Sequence, residues 1–382
     1  MRVAVVFPHA NRRAGVERVA WDLSDYLAAR HETTFVGMDM EERDANAAQF
    51  HPVRPRRLAP SPLAFRRGTA RALEELRPDV ALTLGAECHP GDVFWVQSVH
   101  RAFLARSPGP NWRRGPVPAW TRRLLPRHQL ILALERSYYA SPRPRTILCT
   151  SAQDLADLTT YYGVDARRCR VMPNGYDPAV FNTERRGVHR SSARRRLGLG
   201  DGDISVLFVA NELHRKGFGT LIEAFAQADL PNGRIDVVGR VSKAGYQARI
   251  ERLGLRDRIR WHGSTNDVFP FYAAADVLAL PTQYEPFGIV IVEALASGLP
   301  VIASRLAGAS SAILDGDNGR LLAEPTDVAE LAGRLREAAD PAVRTSWAGQ
   351  AATGAEPFGW PRIFAEVEEV LRNDLRARQD AR

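Results

Sequence analysis

The 382-residue chain has only three cysteines, Cys88, Cys149 and Cys169, an odd number at spacings that match no zinc motif. Neither a disulfide framework nor a zinc site is expected from them, and a reduced, cytoplasmic setting fits. Lysine is scarcer still: Lys216 and Lys243 are the only two, so arginine supplies the rest of the 52 basic side chains. No apolar run approaches the roughly 20 residues of a membrane-crossing helix, and the opening MRVAVVFPHANRRAG is too short in its apolar stretch for a secretory leader. A dinucleotide-dependent oxidoreductase is disfavoured, because no G-x-G-x-x-G opens a helix after either leading strand. Clustered ligands for a DxD-type metal site are also missing, so no metal is expected.

What is present is an ordinary globular composition, 45% hydrophobic and 25% charged, in a chain long enough for two or three domains. The net charge of +8 is unevenly spread: residues 1–182 hold 26 arginines against 18 acids, and residues 183–382 hold equal numbers. Such an excess fits an anionic acceptor or contact with an anionic membrane surface, with a solvated arginine surface from a GC-rich genome as the plain alternative. A nucleic-acid-binding protein is the reading from another class, but the excess surrounds no recognisable binding motif, and no nucleic-acid partner is expected.

Each half opens alike, with a buried-strand run, a polar glycine-containing loop and an amphipathic helix. In the first half these are Val3–Phe7, PHANRRAG and a stripe at Val16, Val19, Ala20, Leu23 and Leu27. In the second they are Ser205–Asn211, ELHRKG and Leu221, Ile222 and Phe225. Strand runs at Thr33–Gly37, Asp79–Gly85, Asp92–Gln97, Thr146–Ser151 and Val171–Gly175 continue the first half. Ile235–Gly239, Ile259–Gly263, Val277–Pro281 and Pro300–Ser304 continue the second. Helix-length spacers between strands predict two doubly wound parallel sheets. The polar stretch Phe181–Arg196 is the expected seam, giving domains 1–182 and 183–358, and 359–382 forms an amphipathic helix that packs back on the first. Pro126 is expected to start a helix at HQLILALERSYY. The proline- and arginine-rich excursion Phe103–Arg127, with Trp112 and Trp120, is too irregular for a plain connector.

Two elements carry chemistry. EPFGIVIVE sets Glu285 in a loop at a strand's carboxyl end and Glu293 one turn inside the following helix, so both can face one crevice. Gly288 lets a ligand approach the backbone, and the amides of Phe287, Gly288 and Ile289 at the helix start form an anion site. Glu293 suits a diol such as ribose. The turn LHRKG places Arg215 and Lys216 where a diphosphate at the first strand–helix turn is met, a fork and a point charge. Taken singly, each element also fits an ordinary helix acid or an exposed basic pair.

The stretches EPFGIVIVEALASGLPVIAS, RKGFGTLIEAF, VMPNGYDPAVFN and GDNGRLL together resemble glycosyltransferase family 4, the retaining nucleotide-sugar transferases, over nearly the whole chain. RLGLRDRIRWHGSTNDV and AAADVLALPTQYEPFGIV are most similar to its lipopolysaccharide-core glucosyltransferase branch. The resemblance implies a GT-B architecture, two facing Rossmann-like α/β domains, with acceptor bound by the first and donor by the second. It implies a hexose moved from a nucleoside-diphosphate sugar, uridine favoured over guanosine, to a hydroxyl acceptor that is a glycan, a lipid-linked glycan or glycolipid, or a small metabolite, with no cofactor. It assigns the diphosphate to Arg215 and Lys216, the ribose to Glu293 and the sugar hydroxyls to Glu285. The amides of Phe287, Gly288 and Ile289 take phosphate and sugar, the main chain of Thr265 takes the base, Gly15 allows close approach, and His100 faces the donor sugar. Departures from the family pattern are Asn211, where an arginine is common, Ala14 before Gly15, and Ser311 in place of a glutamate. A catalytically silent scaffold that binds membrane or nucleic acid is the alternative function.

Overall fold

The computed structural model describes residues 1–11, 15–41, 48–54, 61–107 and 124–381. Ala14, Trp112, Trp120 and the greater part of the arginine-rich excursion lie outside these residues. The chain separates into two compact units, one built of Met1–Ala105, Pro118–Asn174 and Pro361–Arg382, the other chiefly of Gly175–Trp360.

The first unit holds strands β1 (Arg2–Val6), β3 (Glu32–Gly37), β5 (Gln49–Pro52), β6 (Val80–Thr83), β7 (Val93–Val96), β8 (Thr146–Cys149) and β9 (Cys169–Val171), with a small pair β2 (His9–Ala10) and β4 (Asp39–Met40) beside them. The main sheet runs β5-β3-β1-β6-β7-β8-β9 and is parallel throughout. Its central strands are fully buried, as sequences such as VALT and VFWV require when helices cover both faces. The expected strand Val171–Gly175 begins earlier, at Cys169, and stops before Pro173, which has no N–H to give to a ladder. Met172 instead offers its carbonyl to the buried Trp95 indole at 2.9 Å.

The helix Trp360–Asp380 buries Ile363, Phe364, Val367, Val370 and Leu371 on the first unit. Each such side chain contributes about 1.5–3 kcal/mol of transfer free energy. Polar contacts fix its register: Glu368 meets the buried His31 at 2.9 Å and Arg378 meets Asp92 at 3.2 Å.

The second unit contains β10 (Ile204–Val209), β11 (Gly233–Val238), β12 (Ile259–Gly263), β13 (Val277–Leu280), β14 (Val301–Ser304) and β15 (Gly319–Leu322). They form a parallel sheet in the order β12-β11-β10-β13-β14-β15. The anticipated seam is a correction: TERRGVHRSSARRR is the helix Thr183–Arg196, capped by the Asn182 side chain, and it belongs to this unit. Its charge has structural work, because Arg186, Arg190 and Arg194 recur every fourth residue on one face. They donate to the carbonyls of Tyr272, Ala273, Ala274 and Ala275 at the end of the helix Phe269–Ala274. Arg190 and Arg194 also grip the buried Asp276 at 2.6 and 3.1 Å. Carbonyls that a helix end leaves unpaired thereby gain charged donors. Burial and the neighbouring arginines lower Arg186 to about 9.

The structural divide falls at Asn174/Gly175 and Trp360/Pro361 instead of at residues 182 and 358. The reason is local pairing: Tyr176 N donates to the Phe358 carbonyl at 3.0 Å and Trp360 N to the Tyr176 carbonyl at 2.9 Å, so the outgoing and returning chains are stitched together within the second unit.

Candidate functional site

In the second sheet the strand order reverses between β10 and β13, and the helices that follow these neighbours diverge, opening a crevice at the strands' carboxyl ends. The turn after β10 carries Arg215 and Lys216, and the turn after β13 carries Glu285. Gly217 makes their approach possible: its φ is +82°, and a Cβ there would lie 1.9 Å from the Pro281 carbonyl oxygen. Across the junction the Arg215 carbonyl accepts from Gln283 N at 2.9 Å and from the Thr282 hydroxyl at 3.2 Å.

The side chains converge as well. One oxygen of Glu285, Oε2, accepts from Arg215 Nη1 at 3.1 Å and is in direct contact with Lys216 Nζ. Arg215 also donates to the Tyr284 carbonyl at 2.6 Å and to Glu212 at 2.7 Å. Burial, and then the adjacent Arg215 guanidinium, hold the Lys216 ammonium well below its ordinary pKa, with Glu212 opposing. An anion entering here meets two oriented cations. Beside the turn lies a cavity of about 480 Å³ bordered by His214, Gly217, Tyr246, Arg249 and Gln283.

Glu285 and Glu293 are joined through the helix Ile289–Ala296, whose N-cap is Gly288 at φ +96°. Its first amides have no acceptor within the helix. Phe287 is buried and packs 5.8 Å from the Phe358 ring. Ile289 is half-buried at the first helical position. Glu293 is buried and accepts from the Tyr272 hydroxyl at 2.8 Å. Tyr272 escaped the sequence reading because an aromatic in FPFYAA reads as core, which it also is. Thr265 follows β12, and its hydroxyl closes a local turn with Asp267 at 3.0 and 3.1 Å. Asn211 is occupied in holding the next loop, accepting from Arg240 N at 3.0 Å.

Gly15 and His100 belong to the first unit. Gly15 opens the helix Gly15–Ala28 at φ +59°, a conformation natural to glycine. His100 opens the helix His100–Arg106 and is half-buried. Its Nε2 lies 2.9 Å from Nδ1 of His128, and its backbone N donates to Glu135 Oε1 at 2.7 Å. The second Glu135 oxygen receives the Tyr162 hydroxyl. Burial raises the Glu135 carboxyl to about 7 despite these donors, and Glu87 adds to the rise. Neither His128 nor Glu135 was singled out from sequence, although seven residues on the helix Pro126–Tyr139 place them on one face. Among the described residues no group of three or more acids, histidines or cysteines is arranged to hold a metal, and no helix is long and apolar enough to cross a membrane.

Two family models cover these units in turn: Glycosyltransferase Family 4 matches residues 13–180 and Glycosyl transferases group 1 matches residues 189–351. The lipopolysaccharide glucosyltransferase WaaG of Escherichia coli strain K12 is 30% identical over 259 residues, 66% of this chain and 69% of that protein. The D-inositol 3-phosphate glycosyltransferase of Acidothermus cellulolyticus is 30% identical over 300 residues, 75% of this chain and 63% of that protein. Among solved structures, WaaG, described as a glycosyltransferase involved in lipopolysaccharide biosynthesis, aligns with a TM-score of 0.84 at 24% identity, covering 97% of this chain and 99% of that one. Anabaena HepE in complex with UDP and glucose aligns with a TM-score of 0.71 at 21% identity, covering 98% and 100%.

Proposed function

The chain belongs to glycosyltransferase family 4 and is a GT-B glycosyltransferase, and from that premise we propose that it transfers a hexose, with retention, from a UDP-sugar to a hydroxyl acceptor without a metal. The observation that carries this reading is the convergence of Arg215, Lys216 and Glu285 at the switch point beside the Gly288 helix start. Arg215 and Lys216 take the diphosphate, with the amides of Phe287, Gly288 and Ile289. Glu293, aimed by Tyr272, accepts from the ribose hydroxyls. Glu285 gives up its two cations to the arriving diphosphate and turns to the sugar hydroxyls. The Thr265 main chain takes the base, Gly15 allows close approach, and His100 is assigned to the donor sugar.

Chemistry then follows from charge. The departing diphosphate gains negative charge as the bond to the anomeric carbon breaks, and fixed cations and amides stabilise it most at that moment. An oxygen of the same phosphate takes the acceptor's proton, so attack occurs on the face that the leaving group vacates and configuration is retained. The protein contributes positioning and electrostatics, with Arg215 and Lys216 in the place of a divalent ion.

The acceptor is read as anionic, from the arginine excess of residues 1–182, and a cytoplasmic enzyme with contact to an anionic membrane surface is the corresponding setting. A nucleotide-sugar panel followed by donor hydrolysis, with and without EDTA, tests the donor and the metal. Loss of turnover in EDTA removes the cationic-clamp mechanism, and hydrolysis of no nucleotide sugar removes the enzyme reading. Sedimentation with anionic and neutral vesicles tests the membrane contact, which equal binding or none removes.

A further inference from the structure

His100 sits at the start of a short helix, and a seven-residue helix on its own has little stability. Between this helix and the helix Pro126–Tyr139 lies a cavity of about 220 Å³, lined by Arg101, Gln129, Leu132, Arg136 and Tyr162. Beside it, polar grips join the two helices. His128 and Glu135 are two turns apart on one face of the longer helix, and both reach the same residue. One meets the His100 ring, Nδ1 to Nε2 at 2.9 Å, and the other accepts from the His100 backbone N at 2.7 Å. Glu135 is itself anchored from a third helix, Ala152–Tyr162, by the Tyr162 hydroxyl.

We propose that His128 and Glu135 are positioning residues for His100, the first fixing its ring plane and tautomer and the second fixing the backbone from which the ring projects. The ring bond needs one proton between the two nitrogens, so the tautomers of His100 and His128 are linked. The backbone bond holds the first turn of the His100 helix, where an acceptor is otherwise lacking. A buried carboxylate is costly to maintain, and this one satisfies both its oxygens with groups that bear on His100 or on its support. A core helix position with no such duty is filled as well by leucine.

The inference rests on the reading of His100 as the residue that meets the donor sugar, and the experiment separates the two. Donor hydrolysis, with the nucleotide sugar selected by the panel, is measured for His100→Ala, His128→Ala, Glu135→Ala and the conservative Glu135→Gln, with UDP affinity by calorimetry and folding by circular dichroism. Glu135→Ala and His128→Ala lower kcat by about 10- to 100-fold, the usual consequence of misplacing a reacting group by an ångström or less. KM for the donor and UDP affinity stay near wild type, because the diphosphate ligands are in the second unit. Glu135→Gln, which keeps an acceptor for the His100 backbone, recovers most of the loss. In a His100→Ala background the Glu135→Ala change costs nothing further, as a double-mutant cycle requires of a residue that acts through another. Full additivity, or a wild-type kcat in folded Glu135→Ala and His128→Ala, overturns the positioning role while leaving His100 in place. A wild-type kcat in His100→Ala overturns the reading of His100 itself, and the inference with it.

Discussion

Lys216 and Glu285 are in direct ion-pair contact, and the same Glu285 oxygen lies 3.1 Å from Arg215. In the proposed donor site the carboxylate therefore competes with an incoming diphosphate for both cations. Glu285→Gln is expected to bind UDP several-fold more tightly than wild type while donor hydrolysis falls by more than tenfold. Lys216→Ala has the opposite effect on binding, losing a charged contact of about 1.5–3 kcal/mol, or roughly 10- to 150-fold in Kd. Calorimetry with UDP alone, beside a hydrolysis assay, checks both.

Burial and the adjacent Arg215 guanidinium lower the Lys216 pKa in the ligand-free site against the touching Glu285 carboxylate, and a diphosphate bound there as proposed favours the ammonium further. Between the free and bound values, binding takes up a proton, so UDP affinity falls as pH rises through that window. Calorimetry in buffers of different ionisation enthalpy should show proton uptake in wild type, and Lys216→Arg should abolish it because guanidinium does not titrate there.

Glu135 titrates at about 7 when folded against 4.5 unperturbed, with Glu87, Tyr162 and the His100 and Arg101 amides as its neighbours. Between these values the folded state holds a proton that the unfolded state has lost, so this group's contribution to stability declines as pH rises from about 4.5 to 7. Full ionisation costs on the order of 3 kcal/mol. Glu135→Gln should therefore gain Tm over wild type at pH 8 and gain little or none at pH 5.

Much of the second unit was legible because its strands are short β-branched runs spaced by helix lengths, and because the two loops that matter end at strand carboxyl ends. Arg215, Lys216, Glu285 and Gly288 could be read together for that reason. The helix Thr183–Arg196 was not legible. Its inward face is arginine, and a polarity rule assigns such a face to a linker until the carbonyls of Tyr272–Ala275 and the carboxylate of Asp276 are seen across from it. Tyr272, His128 and Glu135 stayed hidden because their partners are distant in sequence. Pairing of that kind leaves no period to count.

Asp276 is 2% exposed, and three arginines, Arg190, Arg194 and Arg344, and the Ser205 amide depend on it. Asp276→Ala leaves the buried Arg194 guanidinium and its partly exposed neighbours Arg190 and Arg344 without their anion, a loss of about 3–5 kcal/mol. A lower denaturant midpoint with an unchanged slope checks it.

Tyr272→Phe removes only the hydroxyl on Glu293 and is expected to cost about 1 kcal/mol of stability. UDP affinity should weaken several-fold, with a smaller effect on 2′,3′-dideoxy-UDP, which lacks the hydroxyls that the proposal assigns to Glu293.

The two stitched crossings at Tyr176 and Phe358–Trp360 also impose an order on synthesis. The second unit is complete once Trp360 has left the ribosome. The first waits for Ile363, Val367 and Leu371, which follow Trp360 in the chain. Until then its groove for that helix faces water, and a nascent chain paused near residue 360 carries one finished body and one that still needs protection from aggregation.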